Sequence, residues 1–508
     1  MKSAGRTWAA LVLFTGLFAA CGGGDAPAPG AGGRGTLLQS PAPRVASLKA
    51  GELNAQLMAS AEGQQLLQLA GAPACGVDVY YLQYHTVGGA GEATTASGAM
   101  MLPSGGAGCS GARPLLLYAH GTTFDKNFNL ADIARNDEGS LLAAMWTAQG
   151  YIVVAPNYAG YDASSLSYHP YLNAEQQAKD MMDSLAAARS QLQQMATVSE
   201  SGKVFISGYS QGGHVAMATH KAMQAANLNV TASAPASGPY ALTALVDAVF
   251  LGSVNLGATG FSPLLLTSYQ KSYGDIYASA ASVYESAYAA GVETLLPNAT
   301  LDYPGLLAQG KLPLALFSST PPAPQFAALT PPTTPAAQAP LFALGFGANN
   351  LIGNAFRLAY LQDALAYPDG AVPTAGNGLP PATPALPVRQ RLKANDMRSW
   401  LPQKPLQLCG GNADPVVYYF NTQIMQSYFL GAGLSAQALS VVDIDSSPTP
   451  ADPLAPLKAG FAQAKSATAQ AAVAAGASDG GATAVTQAYH SLAAPFCAAA
   501  ARAFFSQF

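Results

Sequence analysis

The stretch Ser207-Gly208-Tyr209-Ser210-Gln211-Gly212-Gly213 decides how this chain is read. Residues 203–206, ending Val204-Phe205-Ile206, precede it as a short strand, and a helix-like segment from Gln211 to about Ala226 follows. Strand, sharp turn and helix in that order put a serine at the apex. A residue held there adopts strained backbone angles, so the positions two away on either side must be small. Gly208 and Gly212 meet that need, and Gly213 lets the helix lie close to the strand. The strain lifts the Ser210 hydroxyl clear of the sheet and aims the N–H groups that follow at the same point. Those are the requirements of a nucleophile and its oxyanion site.

Working outward, residues 77–87 alternate in polarity as a strand does, and residues 93–102 read as its hairpin partner. Pro114-Leu115-Leu116-Leu117-Tyr118-Ala119 and residues 151–155 are short apolar runs suited to strands buried on both faces. A helix over 141–149 separates them. Asn173 is placed to cap a long helix over 174–195, which leads to the elbow strand, and residues 230–236 supply another strand. Strands alternating with helices predict a mostly parallel sheet with right-handed crossovers, the α/β-hydrolase arrangement around such an elbow. The alternation stops at about residue 240. Residues 240–400 are Ala-, Leu- and Tyr-rich helical pieces with a proline-rich belt over 313–340, read as a cap that holds either a lid or a rigid strap. The pattern resumes with strands over 405–409 and 438–444, a helix over 416–430 between them, an Ala-rich segment over 452–476, then a loop carrying His490 and a C-terminal helix. Residues 37–70 read as an amphipathic helical arm. The expected organisation is thus core over 37–239, cap over 240–400 and core again over 401–508.

Half of the 508 residues are hydrophobic, enough for a large core, and only 10% are charged. A net charge of −4 without a basic cluster argues against a nucleic-acid partner. At the N-terminus, Lys2 and Arg6 precede an apolar run over 8–20 that is too short to span a membrane. It ends Ala19-Ala20-Cys21-Gly22, so residues 1–21 predict a secretory signal peptide and resemble a lipoprotein signal. Lipidation of Cys21 would attach the protein to a membrane, with residues 22–36 as a Gly/Pro/Ala tether. The predicted location is therefore the bacterial cell envelope or the outside medium.

A serine hydroxyl attacks only when an imidazole takes its proton, and that imidazole needs a carboxylate to set its tautomer. The order along the chain in this fold is Ser, acid, His. Of six histidines, His85, His120 and His169 precede the elbow, while His214 and His220 lie on the elbow helix. His490 remains as the base. Asp414, in the turn Gly410-Gly411-Asn412-Ala413-Asp414, follows a buried strand and is the expected acid; Asp443, Asp445 and Asp452 are rivals. The oxyanion donors are expected at the backbone N–H of Gln211 and of Thr122, with His120 bracing the loop that carries Thr122. Four cysteines besides Cys21 suggest two disulfides. Cys409 just before the acid and Cys497 just after the base would hold the two turns in register, which leaves Cys75 with Cys109. None has zinc-site spacing, and neither a metal nor an organic cofactor is expected.

Together, Tyr118-Ala119-His120-Gly121-Thr122, Ala155-Pro156-Asn157-Tyr158-Ala159-Gly160-Tyr161, Gly208-Tyr209-Ser210-Gln211-Gly212-Gly213 and the Asp414 and His490 turns resemble the secretory lipase family and related bacterial ester hydrolases. The resemblance covers roughly residues 75–240 and 400–508. It implies carboxylic ester cleavage beneath a helical cap, with a small or lipid-like ester as substrate. Two other readings stay open: a serine peptidase of the same fold, which would want acidic cap residues to hold an amine (Glu285, Glu293 and Asp302 are scattered), and a non-catalytic surface lipoprotein.

Overall fold

The structure is a computed structural model, and it describes residues 33–508. The expected signal peptide, Cys21 and the tether as far as residue 32 lie outside the described residues. Among these, eleven strands are found: β1 (Arg44–Leu48), β2 (Gly76–Val87), β3 (Ala93–Ser104), β4 (Gly111–Ala119), β5 (Ile152–Pro156), β6 (Val198–Tyr209), β7 (Ala232–Ala236), β8 (Phe317–Ser318), β9 (Phe346–Gly347), β10 (Leu406–Gly410) and β11 (Leu439–Asp443). Nine of them form one sheet in the order β1-β2-β3-β5-β4-β6-β7-β10-β11. Pairing is antiparallel from β1 through β3 to β5 and parallel from β5 to β11.

The continuous apolar runs reflect burial on both faces. Leu115, Leu117, Ile152, Val154, Val204 and Ile206 enter one core, packed by the helices Ala174–Leu192 and Gln211–Ala225. Leu116, Val153 and Phe205, their immediate neighbours in sequence, enter the opposite core. There they meet Ala50–Met58, Ala61–Ala70, Asp137–Met145 and the C-terminal helix Ala482–Phe505. Burying each Leu or Phe contributes about 1.5–3 kcal/mol, so neither face of these strands can be left bare. Asn173 caps the long crossover helix, accepting from the Gln176 N–H at 3.2 Å.

Three expectations are corrected. Residues 37–70 are not wholly helical: Pro41 and Pro43 keep the chain extended into β1, which pairs with β2, and two helices follow, the second capped by Ser60. The helix expected from residue 416 begins at Phe420, because Asp414 engages the N–H groups of Val416 and Val417 and prolongs the turn. His490 lies within the helix Ala482–Phe505 rather than in a loop before it, since this alanine-rich segment offers no break ahead of it. Pro495 sits inside that helix and removes the ladder bond to the Ser491 carbonyl.

Between β7 and β10 lies the mainly helical cap insertion, with its own apolar core closing on Tyr171 and Leu172. Its proline-rich belt is a strap. Arg357, fully buried, donates to Leu329 O at 2.9 Å and Thr330 Oγ1 at 3.0 Å, and lies 4.5 Å over the Phe317 ring. Two further buried arginines clamp the strand-ward return of the cap to its first helix, Leu242–Phe250. Arg389 grips both oxygens of Asp247 (3.0 and 2.6 Å) and Asp363 Oδ2 (2.7 Å). Arg398 grips Asp369 and Asp396 and donates to Thr243 Oγ1 at 2.7 Å. Removing one arginine leaves buried carboxylates without a counter-charge. Arg389→Leu is therefore expected to lower stability by about 3–5 kcal/mol, read as a reduced urea midpoint, and to open the cap to limited proteolysis.

Candidate active site

Ser210 terminates β6 at φ 59° and ψ −124°, a conformation that non-glycine residues rarely hold. Its N–H donates to Ala236 O on β7 at 3.0 Å, which anchors the turn. The glycines around it leave no room for a Cβ. One on Gly212 would overlap the Ala119 carbonyl of β4, and one on Gly213 that of Ala236. The elbow helix thus starts hard against both neighbouring strands, and its first N–H groups converge beside the serine.

The expected acid and base, Asp414 and His490, meet although 76 residues separate them. Asp414 is buried, and its Oδ1 accepts from the N–H groups of Val416 (2.9 Å) and Val417 (3.1 Å). This turns Oδ2 toward His490 Nδ1 at 2.6 Å. The contact sets the tautomer, leaving the buried Nε2 without a hydrogen-bond partner among the described residues. His490 and Ser210 line the same groove. The rival carboxylates support this turn: Asp443 accepts from Asn412 Nδ2 at 2.9 Å, and Asp445 accepts from Tyr489 Oη at 2.7 Å and pairs with Lys465. Asp452 pairs with Lys458 at 2.6 Å. Cys409–Cys497 joins β10 to the helix bearing His490, and Cys75–Cys109 forms the second expected bridge.

Neither the Gln211 nor the Thr122 N–H has a protein acceptor among the described residues. Around them several polar groups are committed. The Gln211 amide donates to His169 Nε2 at 2.7 Å, and His169 Nδ1–H donates to Ala159 O at 2.9 Å. Burial lowers the His169 pKa to about 3, so the ring stays neutral and able to accept. His120 has Nδ1 at 2.7 Å from Gly121 O and Nε2 at 3.1 Å from Asn157 O, and it stacks on Tyr158. Burial lowers its pKa to about 4; a neutral ring donates to only one carbonyl, and the shorter contact assigns the proton to Nδ1. His214 and His220 are buried elsewhere, against Asn395 O and Ser233 Oγ.

Ser210 and Thr122 border two cavities. The one beneath the cap is narrow, about 90 Å³, and lined by Leu242, Val249, Phe261, Leu265 and other uncharged residues. The other, about 670 Å³, is an open groove between the helices at residues 50–70 and the C-terminal helix. Sequence reasoning missed several supporting residues. Tyr209 donates to His490 O at 2.6 Å, and Tyr489 receives the Ala413 N–H at 3.2 Å. Glu138, whose pKa burial raises to about 7, accepts from Tyr118 Oη at 2.7 Å. No local pattern distinguishes these side chains; Glu138 reads as an ordinary first-turn acid.

Two stability effects follow. Gly212→Ala is expected to cost at least about 1–3 kcal/mol in chemical denaturation and to abolish labelling by a fluorophosphonate. Replacing Cys409 and Cys497 by Ala is expected to cost about 2–4 kcal/mol. The same change at Cys75 and Cys109 should cost roughly 0.8 kcal/mol less by loop length alone, since the sequence separations are 88 and 34.

The prolyl oligopeptidase family model matches residues 139–234, the segment containing the elbow. The crystal structure of the rice cell wall degrading esterase LipA from Xanthomonas oryzae is similar at 29% identity and TM-score 0.63, covering 84% of this chain and 95% of that one. A ligand-bound form of the same esterase gives 28% identity and TM-score 0.64 over the same shares. A Legionella pneumophila protein shares the fold at 19% identity and TM-score 0.62, covering 92% of this chain and 96% of that one. No curated protein matches the chain. Sheet order, serine elbow, cap and these likenesses agree: the chain has the α/β-hydrolase fold and is similar in structure to a bacterial esterase.

Proposed function

We propose that this chain is an exported serine hydrolase that cleaves carboxylic esters through an acyl-enzyme on Ser210. The observation that carries the reading is the His490 imidazole, held at Nδ1 by Asp414 with Nε2 unpartnered in the groove that Ser210 borders. In this mechanism Nε2 takes the Ser210 proton as Oγ attacks the ester carbonyl. The Gln211 and Thr122 N–H groups receive the oxyanion, and His490 returns the proton to the departing alcohol. Water, activated by the same imidazole, then releases the acid. The narrow uncharged cavity beneath the cap suits the acyl group, and the open groove suits the alcohol. Two disulfides support an oxidising compartment, in line with a signal peptide over residues 1–21 and lipidation at Cys21.

The family match over residues 139–234 favours a second reading, a serine peptidase. That segment is the nucleophile half of the fold, which does not choose between ester and amide. The cavity beneath the cap holds no carboxylate to receive an amine. Glu293 accepts from Tyr277 Oη and Asp302 caps a cap helix.

Wild type should hydrolyse p-nitrophenyl esters and leave aminoacyl anilides untouched. Ser210→Ala and His490→Ala should each lower kcat by roughly 10⁴-fold or more. Anilide cleavage without ester cleavage would establish the peptidase instead. Palmitate labelling in a bacterial host should be lost in Cys21→Ser.

A further inference from the structure

Glu138 takes no part in the chemistry just described, yet it reaches the oxyanion loop. It stands in the first turn of the helix Asp137–Met145, capped by Asn136, where an acidic residue ordinarily faces solvent and complements the helix dipole. Glu138 turns inward instead. The residue is half-buried, and its carboxyl end packs against buried Tyr118. Besides the Tyr118 hydroxyl, it accepts the Gly121 N–H, at 3.2 Å on Oε1 and 3.4 Å on Oε2. Gly121 backs onto the nucleophile: a Cβ there would lie 3.8 Å from Ser210 Cβ and 3.5 Å from Tyr209 O.

A glycine at this point leaves the two peptides that flank it free to rotate. Both are held. The peptide entering Gly121 is held through its N–H by Glu138, and the one leaving it through its carbonyl by His120 Nδ1, at 2.7 Å. That second peptide also carries the Thr122 N–H, which planarity points opposite to the pinned carbonyl. We propose that Glu138 is a positioning residue for the oxyanion site, which locks the Gly121 hinge so that the Thr122 N–H faces the oxygen of the carbonyl attacked by Ser210. The inference rests on the reading of Ser210 as nucleophile. An ionised Glu138 opposes a nearby oxyanion, so its benefit lies in its acceptor geometry.

The test compares wild type with Glu138→Gln, Glu138→Ala and Glu138→Leu, each as the full chain. The readouts are kcat and KM on p-nitrophenyl butyrate, inhibition by an aryl trifluoromethyl ketone, and the stoichiometry of fluorophosphonate labelling. Ala and Leu should lower kcat roughly ten- to a hundredfold with KM within about twofold. The trifluoromethyl ketone, which forms a tetrahedral oxyanion on Ser210, should weaken by the same factor, while labelling still reaches one probe per chain. Gln, whose amide oxygen can still accept the Gly121 N–H, should keep kcat within about threefold. Wild-type kcat in Leu, or a Gln variant as impaired as Leu, overturns the proposal; Leu serves if the Ala variant does not fold. Ester turnover that survives Ser210→Ala would instead overturn the reading beneath it.

Discussion

The close approach of the elbow helix to β4 and β7 is the constraint on which the rest of the site depends. Gly212 and Gly213 lie against the carbonyls of Ala119 and Ala236 with no space for a Cβ. Only at that distance does the first turn of the helix aim its N–H groups at the point where Ser210 stands. The strain at Ser210 is offset locally by its hydrogen bond to β7 and globally by a sheet buried on both faces. A small change of backbone here would move Ser210, the Gln211 N–H and the loop carrying Thr122 together.

Asp414 and His490 reach this point from the far end of the chain, and their register is held by bonds around them. One disulfide ties β10 to the C-terminal helix. Tyr209, next to the nucleophile, holds the His490 backbone, and Tyr489 links the Asp414 turn to Asp445. The backbone amides that fix one Asp414 oxygen leave the other no alternative to the imidazole. Rigidity of this sort holds Asp414 and His490 in register beside the groove that Ser210 borders.

The cap divides its polar and apolar residues in an uncommon way. Arg389, Arg398 and several of its aspartates lie inside, in clusters that join its first helix to its return segment. The lining next to Ser210 is left uncharged. Buried ion pairs contribute little net stability compared with apolar packing, but they are directional, so they define which surfaces of the cap meet.

Much of this was legible in the residues. Apolar runs such as Leu115-Leu116-Leu117 report burial on both faces because successive strand side chains face opposite cores. The glycines around Ser210 report close packing because nothing larger fits. Asp414 and His490 could be named as candidates by their order along the chain, and the cysteine pairing by the need to hold them in register; the structure brings each pair into contact. Residues 37–70 misled because β1 is short and exposed, so its pattern is weak beside the helices that follow. His490 was misplaced because alanine-rich segments carry little sign of where a helix begins. By itself, then, the sequence determined the parallel part of the sheet and the elbow, and it named the candidate groups at the site, since these follow from local periodicity, steric need and order along the chain. Tertiary structure alone decided the tautomer of His490, the inward turn of Glu138, the clamping of the cap and the character of the two cavities. Each of those depends on contacts between residues far apart in the chain, which no local pattern encodes.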